Sequence, residues 1–170
     1  MDAYDAIVTR RSVRNFTDEK LGDEAVDKIL EAAMLAPSAV NKQPWSFVVI
    51  DDRAILDDVP TVHPHAAFAK EAPIAILVCG ERNAAHLPPY MDQDCSAATE
   101  NILLAAHALG YGAVWCGVYP DETRVEGFRR LCRIPADVTP FALVVIGRPA
   151  KPSVGKVDRF DREKIHRNVW

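Results

Sequence analysis

The sequence predicts one soluble domain that mixes helices with strands covered on both faces, and three observations carry that expectation. The chain has 170 residues, enough for one core and short for two. Apolar residues make up 49% and charged residues 26%, a globular rather than a disordered composition. The runs SFVVID (46–51), IAILVC (74–79) and FALVVIG (141–147) are almost continuously apolar, the pattern of strands buried on both sides.

Taken in order, Asp2 can cap a short helix through Arg10, with Tyr4, Ile7 and Val8 on one face. A second helix fits Asp23 to about Ala36, where Val26, Ile29, Leu30, Ala33 and Met34 form a stripe and Pro37 stops it. Strands follow at Ser46–Asp51 and Ile74–Cys79. The longest helix is expected over Asp92–Leu109, with Cys95, Ala98, Ile102, Ala105 and Leu109 toward the core. Gly110 and Gly112 end it and lead into a strand, Ala113–Gly117. A helix at Glu122–Leu131 and a strand at Phe141–Gly147 complete the body. The stretch Ala54–Ala72 shows few features and, with His63, His65, Phe68 and His86–Met91, is expected to build a substrate rim.

The tail from Arg148 to Trp170 differs. It is rich in Lys, Arg, Asp and Pro, yet carries Val154, Val157, Phe160, Ile165, Val169 and Trp170. Such a segment cannot bury itself but has too many anchors for disorder. Two readings stand side by side: an arm wrapped over its own domain, or one embracing a second subunit.

Several function classes lack support. A net charge of -4 argues against a general nucleic-acid binder. Apolar runs of about six residues fall far below the roughly 20 needed to span a membrane. No GxGxxG, Walker A, HExxH or GxSxG motif is present. Cys79, Cys95, Cys116 and Cys132 form no CxxC pair, and three of them read as small buried hydrophobes, a usage that fits a reducing cytoplasm. The N-terminus has no apolar stretch of the kind a signal peptide needs. The His63-Pro-His65 pair is a weak metal candidate, no metal is expected, and His107 reads as a structural histidine.

Three segments could carry chemistry. Arg10, Arg11, Ser12 and Arg14 offer many donors within five residues, a pattern suited to phosphate. An extended backbone would put Arg10, Ser12 and Arg14 on one side; the plain alternative is a solvated basic turn. Pro37, Ser38, Ala39, Asn41 and Gln43 form a stiff polar loop whose small Ala39 permits close approach to a flat ligand. Trp115-Cys116-Gly117 ends a strand, where glycine lets backbone approach a ligand.

Together and in order, RRSVRNF (10–16), APSAVNKQPWSF (36–47), DCSAATENILLAAHALGYGAVW (94–115) and RFDREKIHRNVW (159–170) resemble the FMN-containing nitroreductase family. The resemblance covers the chain from about residue 4 to its end. It implies a single α+β domain, a three-layer α/β/α fold with a mixed central sheet. It also implies a homodimer with two FMN sites at the interface and a C-terminal arm, about residues 148–170, exchanged across it. By that likeness Arg10, Arg11, Ser12 and Arg14 hold the phosphate and ribityl groups, helped by Lys156 or Arg159. Pro37, Ser38 and Ala39 line the isoalloxazine from the other subunit, with Asn41 and Gln43 close by. Trp115, Cys116, Gly117 and Val118 run beside the flavin, their backbone N–H groups reaching its N5/O4 edge. The family's turn after Pro-Ser often contains Gly, whereas Ala39-Val40 stands here.

The implied activity is a ping-pong cycle carrying hydride from NADH or NADPH through FMN N5 to a nitroaromatic, a quinone or a similar small-molecule acceptor. The flavin carries the hydride chemistry, and no side chain is required as a catalytic nucleophile. The family scaffold also hosts dehydrogenases, dehalogenating enzymes and a flavin-fragmenting enzyme. Rivals of other classes are an FMN store or sensor without turnover, and an interaction protein that uses its Arg cluster on an acidic partner.

Overall fold

The computed structural model describes residues 1–151 and 155–170. Val154, one of the tail's apolar residues, lies outside the described residues. Helix α1 (Ala3–Thr9) is capped by the Asp2 carboxylate, which accepts from the Asp5 N–H at 2.8 Å. Helix α2 (Asp23–Met34) is followed by strand β1 (Trp45–Ile50) and helix α3 (Arg53–Val62). Strand β2 (Ile74–Glu81) leads to α4 (Tyr90–Ala108), then β3 (Gly112–Gly117), α5 (Glu122–Leu131) and β4 (Val138–Gly147).

The strands form one sheet in the order β1-β2-β4-β3, with helices on both faces. On one side α3, the 3-10 segment Pro64–Glu71 and α5 bring Leu56, Val59, Ala69 and Phe128 onto Leu77, Leu143 and Val145. On the other, α2 and α4 bring Ile29, Ala33, Cys95, Ala98 and Ile102 onto Ile76, Val78, Val144 and Ile146. Odd and even positions of β2 thus serve different cores, which is why its sequence reads as a continuous apolar run. This is the expected three-layer α+β arrangement.

The sheet itself differs from the expectation of a mixed one. Among the described residues, all three strand pairs are antiparallel, and the parallel element is a single bridge from Ser12 to Ala113. The segment after α1 touches the β3 edge at one pair only before turning away. An apolar run reports burial on both faces; it does not report strand direction.

The stretch 54–72 is the second difference. It is not a featureless rim but α3 and a 3-10 segment that roof one core, with Leu56, Val59, Ala66 and Ala69 almost fully buried. Asp52 caps α3, and Ile55, Leu56, Val59 and Val62 carry the helical spacing; Pro60 inside the helix obscures it. His63 ends this helix and is 4% exposed, so it belongs to the interior.

At the end of α4, Gly110 takes φ 85°, and the Tyr111 N–H donates to the Ala106 carbonyl at 2.8 Å, closing the helix as a Schellman turn. Gly112 then lets Val13 pack against the start of β3; a Cβ there would lie 2.7 Å from Val13 Cβ. Those two glycines join the long helix to the strand edge that carries the candidate site. Of the core positions expected on α4, Cys95, Ala98 and Ile102 are fully buried while Leu109 is exposed.

Candidate functional site

The basic segment after α1 runs along β3. Ser12 and Arg14 are exposed, and among the described residues neither side chain is hydrogen-bonded or ion-paired to protein. Val13 packs inward between them, its N–H donating to the Ala113 carbonyl at 3.0 Å. Alternation therefore puts Ser12 and Arg14 on one side, as extended backbone requires. Arg10 is held by Glu100 of α4, Nε to Oε1 3.6 Å.

Arg11 is directed elsewhere. Its guanidinium donates to the carbonyls of Val8 (3.1 Å) and Gly155 (2.8 Å), and to that of Arg10. It braces the base of the C-terminal arm against the end of α1. The arm in turn brings Lys156 and Arg159 to Arg10 and Arg11, in a cleft of about 270 Å³ that Tyr4, Ile7 and Phe160 also line. Residues 145 positions apart in sequence thus form one electropositive hollow.

The edge of β3 supplies the second part. Val118 N–H donates to Phe141 at 3.2 Å, so the neighbouring pair Gly117↔Ala142 is a non-hydrogen-bonded one. By alternation the N–H groups of Trp115 and Gly117 point off the sheet edge, away from β4. Gly117 is exposed, and a Cβ built on it meets nothing within 4 Å. Backbone donors beside open space are what a flat heteroaromatic edge requires. Cys116 is buried; its thiol is pushed up to about 11 by burial, with Arg14 and Arg124 pulling the other way. At neutral pH it is a protonated thiol rather than a nucleophile.

Two residues outside the three candidate segments fix this edge. The Gly117 carbonyl accepts from Arg124 Nη1 at 3.0 Å, and His63 Nε2 lies 3.0 Å away. A carbonyl only accepts, so Nε2 carries the proton of the imidazole. Burial, reinforced by the Arg124 charge, lowers the His63 pKa and keeps the ring neutral. His63 was expected on the substrate rim and Arg124 carried no sequence signal; each reaches the Gly117 carbonyl from a helix on the roofing layer. Of the other expected rim residues, Phe68 packs against the core, His65 is exposed, and His86 stacks on Tyr90 with ring centroids 6.2 Å apart.

The third part is the loop Pro37–Gln43, between α2 and β1. The Ser38 hydroxyl accepts from the Gln43 N–H (2.9 Å), and Gln43 Nε2 donates to Asn41 Oδ1 (2.9 Å). Val40, Asn41 and Gln43 all have positive φ (46°, 56° and 51°). Val40 keeps left-handed backbone despite a β-branched side chain. Strain of about 1–3 kcal/mol is normal for such a residue. Val40 is 68% exposed, so no packing offsets it. Val40→Gly is therefore expected to raise stability by about 1 kcal/mol. Thermal unfolding of the apoprotein checks this; a lower Tm would show that the loop carries no strain.

The structure does not bring this loop to the basic cluster within one chain. It feeds β1, whereas Ser12 and Gly117 lie along β3, and these strands are opposite edges of the sheet. The row Gly117–Ala142–Val78–Phe47 crosses three strand spacings, roughly 14 Å.

Comparison with known proteins agrees with this architecture. The model of the nitroreductase family matches residues 7–61 and 59–148. A protein of Methanothermobacter thermautotrophicus, provisionally named NADH dehydrogenase/NAD(P)H nitroreductase, is 51% identical over all of this chain and 88% of its own length. A crystal structure from Parabacteroides distasonis under the same provisional name superposes with TM-score 0.94 at 36% identity, covering 99% of this chain and 98% of that one. A provisionally assigned nitroreductase of Desulfovibrio desulfuricans, solved in complex with FMN, has TM-score 0.83 and 34% identity, over 96% of this chain and 94% of that one. The chain belongs to the nitroreductase family.

Proposed function

We propose that this oxidoreductase works as a homodimer binding FMN at each of two shared sites, with NADH or NADPH as donor and a small nitroaromatic or quinone as acceptor. The observation that carries the reading is the gathering of Arg10, Lys156 and Arg159 in one cleft, with Ser12 and Arg14, unpaired among the described residues, following Arg10 in the chain toward the edge of β3. That donor set fits a phosphate, and the outward N–H groups of Trp115 and Gly117 fit the polar edge of a flavin ring. FMN, when bound, supplies the redox chemistry by accepting hydride from the nicotinamide and passing it on.

The chain's own residues bind, orient and tune. Arg10, Ser12, Arg14 and one of Lys156 or Arg159 neutralise the phosphate and hold the ribityl chain. His63 and Arg124 lock the Gly117 peptide so that the β3 edge is preorganised. Positive charge at Arg14, beside Cys116, favours a ligand that gains negative charge on reduction. Donor and acceptor use the same opening in turn, which leads to ping-pong kinetics.

Two features support a second copy as the missing half. Tyr4, Ile7, Met34 and Leu35 are 52–76% exposed on α1 and the end of α2, an apolar face that the described residues leave largely uncovered. Every described residue from Gly155 to Trp170 is exposed, so the arm does not bury itself on its own domain. Embrace of the partner would cover both, and would carry the partner's Pro37–Gln43 loop to the cleft.

The test is reconstitution of the apoprotein with FMN, followed by NADH- or NADPH-dependent reduction of p-benzoquinone under both sedimentation and kinetic control. A dimeric flavoprotein that turns over supports the reading; a monomer without flavin sinks it. Because the Cys116 thiol is buried and protonated, Cys116→Ala should retain turnover per bound FMN within about threefold. Complete loss of turnover at full FMN occupancy would assign that thiol a role in the chemistry.

A further inference from the structure

Asp94 lies in the second turn of α4, 5% exposed. Its Oδ1 accepts from the Ala39 N–H at 3.0 Å, across 55 residues of sequence. Its Oδ2 is buried and has no partner among the described residues. Burial of a carboxylate is costly unless something specific offsets it. The Ala39 N–H supplies a charge-assisted bond, about twice as strong as a neutral one.

The loop on the other end of that bond has little else to hold it. Pro37, Val40, Asn41, Lys42 and Gln43 are exposed. Its remaining bonds are internal: Asn41 N–H to Ser38 O, Lys42 N–H to Ala39 O, Gln43 N–H to Ser38 Oγ, and Gln43 Nε2 to Asn41 Oδ1. Three of its residues nonetheless sit at positive φ. Strained backbone persists only where its surroundings over-determine it. Among the described residues, Asp94 is the side chain outside the loop that hydrogen-bonds to it.

We propose that Asp94 is a positioning residue, which tethers the Pro37–Gln43 loop in its left-handed form and so presents Ala39 and Asn41 to the flavin ring. This rests on the assignment of that loop to the flavin site. The tether explains why a carboxylate is kept in the interior with one oxygen unpaired. An apolar side chain of like volume would suit the core better but would release the loop.

The test compares Asp94→Leu, which removes the acceptor at similar volume, with Asp94→Asn, which retains it. Three quantities are read on the full-length protein: Tm, the Kd for FMN, and the rate of tryptic cleavage after exposed Lys42, followed by mass spectrometry. The proposal expects Asp94→Leu to keep its Tm within a few degrees, to bind FMN on the order of 10-fold more weakly and to be cut after Lys42 on the order of 10-fold faster. Asp94→Asn should stay within about threefold of wild type on both. A merely structural carboxylate would lower Tm in both variants and leave the Lys42 cleavage of the folded protein unchanged; that result overturns the proposal. Should the wild-type protein hold no FMN, the flavin assignment itself fails, and the Lys42 cleavage rates decide the tether alone.

Discussion

Arg14→Ala is expected to weaken FMN binding by on the order of 10- to 100-fold, with little change in thermal stability of the apoprotein. The guanidinium is exposed and makes no bond to the described protein, so folding does not depend on it. Its charge reaches Cys116, whose thiol pKa it lowers against the effect of burial, so it lies beside the β3 edge. A hydrogen bond to a charged group contributes about 1.5–3 kcal/mol, which converts to that range of affinity. Arg14→Lys should recover part of the loss, since charge is kept while the planar donor fork is not. Fluorescence titration of apoprotein with FMN at fixed ionic strength measures both. A loss below threefold for Arg14→Ala would place the phosphate elsewhere.

Removal of residues 156–170 should have the largest effect, a shift from dimer to monomer at micromolar concentration together with at least 100-fold weaker FMN binding. The deletion takes away Lys156 and Arg159, which line the basic cleft, and with them Val157, Phe160, Ile165, Val169 and Trp170. These apolar residues are 44–99% exposed, so their own domain leaves much of them uncovered. The double variant Lys156→Ala/Arg159→Ala separates the two roles: it should remain dimeric and lose affinity through the two charge-assisted contacts alone. Sedimentation velocity with flavin absorbance reads both quantities at once. A truncated chain that stayed dimeric with its flavin would show that the arm is not the strap between subunits.

Much of the fold was legible because local rules and tertiary packing agree. Asp2 caps the helix it precedes, and α5 runs over Glu122–Leu131 as expected. β2 and β4 read as doubly buried strands and are so. Where rules conflict, the reading stops. Pro60 hides α3, although Asp52 and the Ile55–Val62 spacing announce it. Strand direction is not written in an apolar run, hence the antiparallel sheet where a mixed one was expected. The stripe of Tyr4 and Ile7 shows that α1 has an apolar face, but amphipathicity does not tell whether the same chain or another covers it.

The site divides in the same way. Arg10, Ser12, Arg14 and Gly117, the proposed flavin contacts, are suggested by residue type alone. Arg11 shares that residue type yet serves the arm's base, which depends on where Gly155 falls. Asp94 and His63 act on backbone groups 55 and 54 residues away, and Arg124 folds back on Gly117 from the next helix; no spacing in the chain foreshadows these contacts.

The most direct test of the central claim is an anaerobic absorbance titration of the purified protein, reconstituted with FMN, against NADH and then NADPH, followed by p-benzoquinone. The account predicts a bound-flavin spectrum that bleaches with at least one nicotinamide and returns on addition of the quinone. A flavin that neither nicotinamide bleaches, or a protein that takes up no flavin, would contradict it.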